Sequence, residues 1–150
     1  MRSPTILRYI SILYRYSRIH MARRLRSHAT GAGQYPFLLA VSRLPGISQD
    51  GLAEELAIDK GTTARAVRTL EKAGYLERRP DDRDRRTHRL YSTAEGLAFV
   101  DVLDDALREW MEILFRGLSG PERDQAFDLI IRMSANARDF LTPVRVSSPP

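Results

Sequence analysis

The stretch RRPDDRDRRTHRLY, from Arg78 to Tyr91, holds six arginines and three aspartates but no lysine. Arginine presents a planar fork of donors that matches phosphate oxygens, and interleaved carboxylates can brace such forks. The chemistry on offer is polyanion contact from a shaped basic finger; the plain alternative is a solvated charged face. A second group lies just upstream, in DKGTTARAVRTLEKAG. There Thr62, Arg65, Thr69 and Lys72 recur at helical spacing with Arg68 on the flank, while Ala64, Val67, Leu70 and Gly74 turn the other way. One helix face is thus rich in donors and free of acids, which suits base edges and phosphates in a duplex groove.

These groups need elements to hold them. Ser48 is a good N-cap, and Ile47 before it can pack on Leu52, the hydrophobic staple that fixes how a chain enters a helix. Leu52, Ala53 and Leu56 make that helix's inner stripe, Ala57 and Ile58 leave room only for a turn, Asp59 caps the donor-bearing helix and Gly74 ends it. Two short helices around so tight a turn read as helix-turn-helix. YLERR and HRLYS then read as two short strands joined by the arginine stretch, which makes a winged helix.

Helices flank this unit. The apolar residues of Ile6 to about Ser27 recur on more than one face, as in a helix buried between two partners; Gly31 and Gly33 break it. A second helix starts near Pro36, carries Phe37, Leu38, Val41 and Leu44, and stops at Pro45-Gly46. Beyond the wing, Thr93 caps a long helix with Leu97, Val100, Leu103, Leu107, Trp110 or Met111, Leu114 and Leu118. After Ser119-Gly120-Pro121 a last helix carries Phe127, Ile130, Ile131, Ser134, Phe140 and Leu141, and residues 142–150 read as a disordered tail. The fold class expected is mainly α with a small β-hairpin wing. It is one domain over residues 1–150, with a winged helix-turn-helix DNA-binding part over 34–92 and a helical dimerisation part over 5–28 and 93–141.

Composition narrows the function classes. Residues 1–49 carry a net charge of +8, residues 50–92 of +1 and residues 93–150 of −4, so a basic side stands ready for a polyanion. The absence of cysteine removes disulfides, thiolate metal sites and thiol redox sensing, and suits a reducing cytoplasm. No apolar run reaches membrane-spanning length, and arginines interrupt the first 26 residues too often for a signal-peptide core, so a membrane partner is not expected. With no glycine-rich phosphate loop, no metal-spaced cluster and no nucleophile with a paired base, neither enzyme, cofactor nor metal site is expected.

The chain resembles the MarR family of bacterial winged-helix transcription factors. The resemblance rests on GQYPFLLAVSRLPGISQDGLAEELAIDKGTTARAVRTLEKAGYLERR, then DRDRRTHRLYST, then AEG, and covers Ile6 to about Leu141 in element order. It implies a homodimer on double-stranded DNA, repressing from a pseudo-palindromic operator. By position it implies that Lys60, Thr62, Thr63, Arg65 and Arg68 meet bases and phosphates, that Ser48 and Gln49 support contact from the preceding helix, and that Arg83, Asp84, Arg85 and Arg86 form the wing. The wing's Asp-x-Arg pattern falls on Asp84 to Arg86, with Arg85 or Arg86 at the tip. Two departures stand out: Gly51 where a better helix former is common, explained by close phosphate approach, and Ser92 where an apolar residue usually anchors the returning strand.

The wing is expected to be frayed and solvated in the free protein and to order on DNA. The resemblance also implies a small aromatic effector, with Tyr9, Tyr16, His20, Tyr35 and Phe37 lining its crevice; the plain alternative is that these aromatics are core. The rival function is a winged-helix module for protein or RNA interaction without sequence-specific DNA binding, and the acid-free face through Thr62, Arg65, Thr69 and Lys72 argues against it.

Overall fold

The computed structural model describes residues 5–28, 33–84 and 86–141. The tail read as disordered, residues 142–150, and the wing residue Arg85 lie outside the described residues. The elements run α1 (Ile6–Arg24), α2 (Tyr35–Arg43), β1 (Ile47–Ser48), α3 (Gln49–Leu56), α4 (Lys60–Lys72), β2 (Leu76–Pro80), β3 (His88–Ser92), α5 (Ala94–Leu114) and α6 (Gly120–Leu141). The chain forms two compact units, divided between Trp110 and Met111.

In the first unit α2, α3 and α4 begin where their sequence dictates, while α1 ends at Arg24, short of the expected Ser27. Pro36 stands in the first turn of α2, where a missing amide hydrogen costs nothing. Ser48 Oγ accepts the Gly51 amide at 3.0 Å to open α3, and Asp59 Oδ1 accepts the Thr62 amide at 2.8 Å to open α4. Between them Ala57 takes a left-handed conformation, φ 52°, so that its amide closes α3 although no glycine is present. Gly51 has a local reason as well. A Cβ there would press at 3.2 Å on both Ile47 and the Ser48 hydroxyl, so the glycine keeps staple and cap in place.

The core gathers Met21 and Leu25 from the end of α1, Phe37, Leu38 and Val41 from α2, Leu52 from α3, Val67 and Leu70 from α4, Leu76 and Leu90 from the wing stem, and Phe99, Leu103 and Ala106 from α5. Two expected stripes are corrected. On α4 the buried set is Thr63, Ala66, Val67 and Leu70, with Ala64 half-buried and Gly74 exposed. On α5 it is Gly96, Phe99, Leu103 and Ala106, while Leu97 is exposed.

The expected two-stranded hairpin is part of a three-stranded antiparallel sheet in the order β1-β3-β2. Ile47 pairs with Leu90 and Ser48 with Arg89, while β2 runs in register from Leu76 opposite Ser92 to Pro80 opposite His88. A two-residue strand has no periodicity to read, and it forms because the staple and cap already hold Ile47 and Ser48 extended beside β3. The doubt raised by Ser92 is settled next door. The Thr93 hydroxyl donates to the Gly74 carbonyl at 2.6 Å and the Thr93 amide to that of Tyr75 at 3.1 Å, so the returning strand is anchored by backbone bonds.

The second unit holds the end of α5 and α6. Glu122 reaches back to Ser119 at the start of α6, the glutamate half of a capping box: the serine amide and hydroxyl both donate to Glu122 Oε2, at 2.7 and 2.8 Å. Phe115 and Phe127 meet edge to face at 5.4 Å. No residue of α6 is buried, and Phe127, Ile130, Ile131, Phe140 and Leu141 are exposed.

Candidate nucleic-acid interface

The interface is built on α4. Its amphipathic spacing turns Val67 and Leu70 into the core and leaves Lys60, Arg65, Arg68, Thr69 and Lys72 exposed, with Thr62 half-buried at the first turn. Glu71, near the inner edge of α4, is occupied: it receives Arg78 of β2 at 2.9 Å. Lys60 reaches back to Asp50 on α3 at 2.7 Å, a bond between two exposed groups that phosphate can replace. Arg65 Nη2 donates to the Thr62 hydroxyl at 2.8 Å. Hydrogen bonds from the Thr62 hydroxyl and amide, followed by the charge of Arg65, hold the Asp59 carboxyl below its ordinary range.

Thr63 is a correction to the expected set. Its side chain is fully buried and its hydroxyl donates to the Asp59 carbonyl at 3.0 Å, so no part of it faces a duplex. Ser48 and Gln49 are half-buried at the start of α3. Ser48 spends its acceptor on the cap, and the Gln49 side-chain oxygen is buried without a hydrogen-bond partner among the described residues.

The wing divides its charges between structure and contact. Asp81 organises the turn: one oxygen accepts the amides of Arg83 at 2.8 Å and Asp84 at 3.4 Å, and the other binds the Arg89 guanidinium. These bonds, the Arg83 amide first and then Arg89, hold its carboxyl below the ordinary range. Asp84 accepts the Arg86 amide at 3.0 Å and the Thr87 hydroxyl at 3.2 Å. Arg79 pairs with Glu77 and lies over the Tyr91 ring at 4.5 Å. Of the six arginines in the stretch, Arg78, Arg79 and Arg89 thus hold the stem. Arg83 and Arg86 are exposed, and their side chains bond to nothing among the described residues. The stem's ladder is complete to His88 and the turn amides of Arg83 and Arg86 are carboxylate-bound. The aspartates brace backbone more than neighbouring guanidinium groups. The role of Asp81 and Arg89 as the base of the wing went unassigned in the sequence, where only their position on either side of the turn hinted at it.

The five aromatic residues proposed for an effector fall in different surroundings. Tyr9 and Tyr16 are exposed on α1. His20 stacks on Trp110 at 5.2 Å, with Nε2 3.0 Å from the Ala106 carbonyl. Phe37 is core, 3% exposed, because α2 turns it inward beside Leu38 and Val41, and its assignment to a ligand is corrected. Tyr35 opens onto a crevice, about 540 Å³, which it shares with Pro36, Leu39, Ala40, Arg43 and Leu44 of α2, Glu55 and Leu56 of α3 and Leu107 of α5. Among the described residues no cluster of three metal-ligating side chains occurs, and no helix is long and apolar enough to cross a membrane.

Comparison with known proteins gives the same picture. Residues 30–87 match the model of the MarR family. The chain is 30% identical over 104 residues to the HTH-type transcriptional regulator YybA of Bacillus subtilis, covering 69% of each chain. A MarR transcriptional regulator from Methanosarcina mazei superposes with a TM-score of 0.85 at 36% identity, over 91% of this chain and 98% of that one. The PcaV transcriptional regulator of Streptomyces coelicolor, solved with its natural ligand, superposes with a TM-score of 0.73 at 26% identity, over 91% and 94%.

Proposed function

This chain belongs to the MarR family of transcriptional regulators and carries a DNA-binding winged helix, and from that premise we propose that it is a homodimeric repressor of a pseudo-palindromic operator, released by a small aromatic effector. The observation that carries the DNA reading is the outer face of α4. Arg65, Arg68, Thr69 and Lys72 stand exposed there, and the nearby acid, Glu71, is already paired. Arg83, Arg85 and Arg86 of the wing add phosphate or minor-groove contact beside it, with Ser48 and Gln49 at the backbone.

The regulator is one functional domain over residues 1–150, in which residues 34–92 read DNA and the helices of 5–28 and 93–141 dimerise. Support comes from apolar side chains that the chain alone leaves in water: Ile6, Ile10 and Leu13 on α1, and Ile130, Ile131 and Phe140 on α6. Two-fold pairing sets two recognition helices one duplex turn apart, about 34 to 36 Å, which is why the operator is an inverted repeat. The effector binds in the crevice beside Tyr35, and its support is the ligand held by PcaV together with the apolar lining from Leu39, Leu44, Leu56 and Leu107. It acts through differential affinity for the DNA-competent and incompetent states.

The test is selection from a random duplex pool by the purified protein at physiological salt. An inverted repeat with half-sites one turn apart is the expected product; recovery of no motif would sink the specific-regulator reading. Release of that duplex by a panel of aromatic acids then tests the effector.

A further inference from the structure

Four features of α4 converge on Arg65, and together they bear on which base the protein reads. The inference rests on the DNA-binding reading above and deepens it. Arg65 lies in the N-terminal half of α4, the part of a recognition helix that approaches base edges. Its guanidinium is exposed, and it is fixed at one point: Nη2 donates to Thr62 Oγ1 at 2.8 Å. Thr62 is itself held at the start of the helix, because its amide donates to Asp59 Oδ1, the cap, at 2.8 Å. The Arg65 fork is therefore tied through the Thr62 hydroxyl to the capped first turn of α4.

The neighbours leave that fork open. Residue 61 is glycine, and a Cβ there would already stand 3.7 Å from Arg65 Nη1, so any longer side chain would cover it. One turn on, the Thr69 hydroxyl is turned back onto the Arg65 carbonyl at 3.0 Å and does not compete for the same base. Lys60, the cation of the first turn, is drawn aside to Asp50.

With one Nη2 hydrogen engaged, the fork keeps both Nη1 hydrogens and a second Nη2 hydrogen. Two parallel donors of this kind match the O6 and N7 acceptors of guanine, the one base whose major-groove edge offers two adjacent acceptors. Ordering the side chain before binding also removes much of the rotamer entropy that a free arginine loses on contact. We propose that Arg65 reads a guanine in each operator half-site, with Thr62 as its positioning residue and Gly61 keeping the approach clear.

The experiment repeats the random-duplex selection with native protein, Arg65→Ala and Thr62→Val, then measures binding to the selected site with 7-deazaguanine, which lacks the N7 acceptor, at the assigned position. The native protein is expected to select a fixed guanine in each half-site and to lose about tenfold in affinity on 7-deazaguanine substitution. Arg65→Ala should lose the preference at that position and be indifferent to 7-deazaguanine. Thr62→Val should weaken the preference there several-fold while its preferences at the other positions of the half-site and its thermal midpoint stay native, which a merely misfolded or helix-weakened variant would not show. A selected motif whose guanine survives Arg65→Ala, or whose 7-deaza form binds the native protein undiminished, overturns the inference alone. No motif from the native protein overturns it together with the regulator reading.

Discussion

Gly96 sits against the backbone of Tyr75 so closely that a Cβ on it would stand 2.1 Å from the Tyr75 carbonyl oxygen. That oxygen accepts the Thr93 amide, and Thr93 Oγ1 accepts the Gly96 amide at 3.0 Å, so the first turn of α5 is locked onto the chain between α4 and the wing.

Gly96→Ala is therefore expected to destabilise the protein, against the usual sign. Alanine in a helix interior is ordinarily favoured over glycine by about 1 kcal/mol. Here the obstacle is backbone and cannot rotate away, and overpacking of this kind costs about 1 to 3 kcal/mol. Urea unfolding checks this, and a midpoint at or above the native one would refute it.

Removing an acid from a DNA-binding surface normally helps binding, so the wing aspartates give a test of sign. Asp81→Ala frees the turn amides and Arg89, and it is expected to lower operator affinity about tenfold at fixed salt. Asp82→Ala, at an exposed position, is expected to leave affinity unchanged or slightly raised. Equal behaviour of the two variants in a fluorescence titration would mean that the turn bonds do not matter to binding.

Arginine count and contact count differ in the wing. Arg86→Ala should reduce the slope of log affinity against log salt by about one ion per protomer. Arg78→Ala should change that slope less, because the guanidinium is already paired with Glu71. Affinities measured between about 50 and 200 mM salt separate the two.

The Asp59 cap gives a pH dependence of defined direction. Its folded-state acidity is increased by the bonds from Thr62, so the carboxylate contributes stability above the unfolded aspartate range, near pH 3.9, and that contribution is lost as pH falls through the depressed folded value. Asp59→Ala should thus unfold at lower temperature than the native protein at pH 7, with the gap closing below about pH 4. A gap that persists unchanged at pH 2 would show that the charge is not the source.

Exposed apolar groups on α6 test the dimer. Ile131, 63% exposed in the single chain, is expected to tolerate Asp as far as local helix structure goes, yet to shift the protein from dimer to monomer in sedimentation and to lower operator affinity at least tenfold. A dimer unaffected by Ile131→Asp and by Ile10→Asp would place the interface elsewhere.

What could be read from the sequence was what is local. The caps at Ser48 and Asp59 and the stop at Gly74 declare themselves within four residues, and the structure places all three as expected. Thr63 was implied by the resemblance alone and not by the helix face, and position in a motif does not tell whether a threonine four residues after an aspartate cap points to solvent or bonds back to the cap carbonyl. Phe37 and Tyr35 are two apart on one helix and share an aromatic signature, and only packing shows one as core and the other at a crevice. Strand β1 and the Gly96 contact depend on partners 43 and 21 positions away along the chain, which no local pattern encodes.

The order β1-β3-β2 has a mechanical consequence. The strand that returns from the wing tip is the middle one, bonded on one edge to β2 and on the other to Ile47 and Ser48, the residues that launch α3. Arg89 doubles the joint by reaching from Asp81 to the Gly46 carbonyl at 3.4 Å. A wing that moves carries the start of α3 with it. In the binding mode proposed above, groove width at the wing and tilt of the reading head would therefore be one coordinate, and a sequence that narrows or widens the minor groove would be felt at bases the wing never touches.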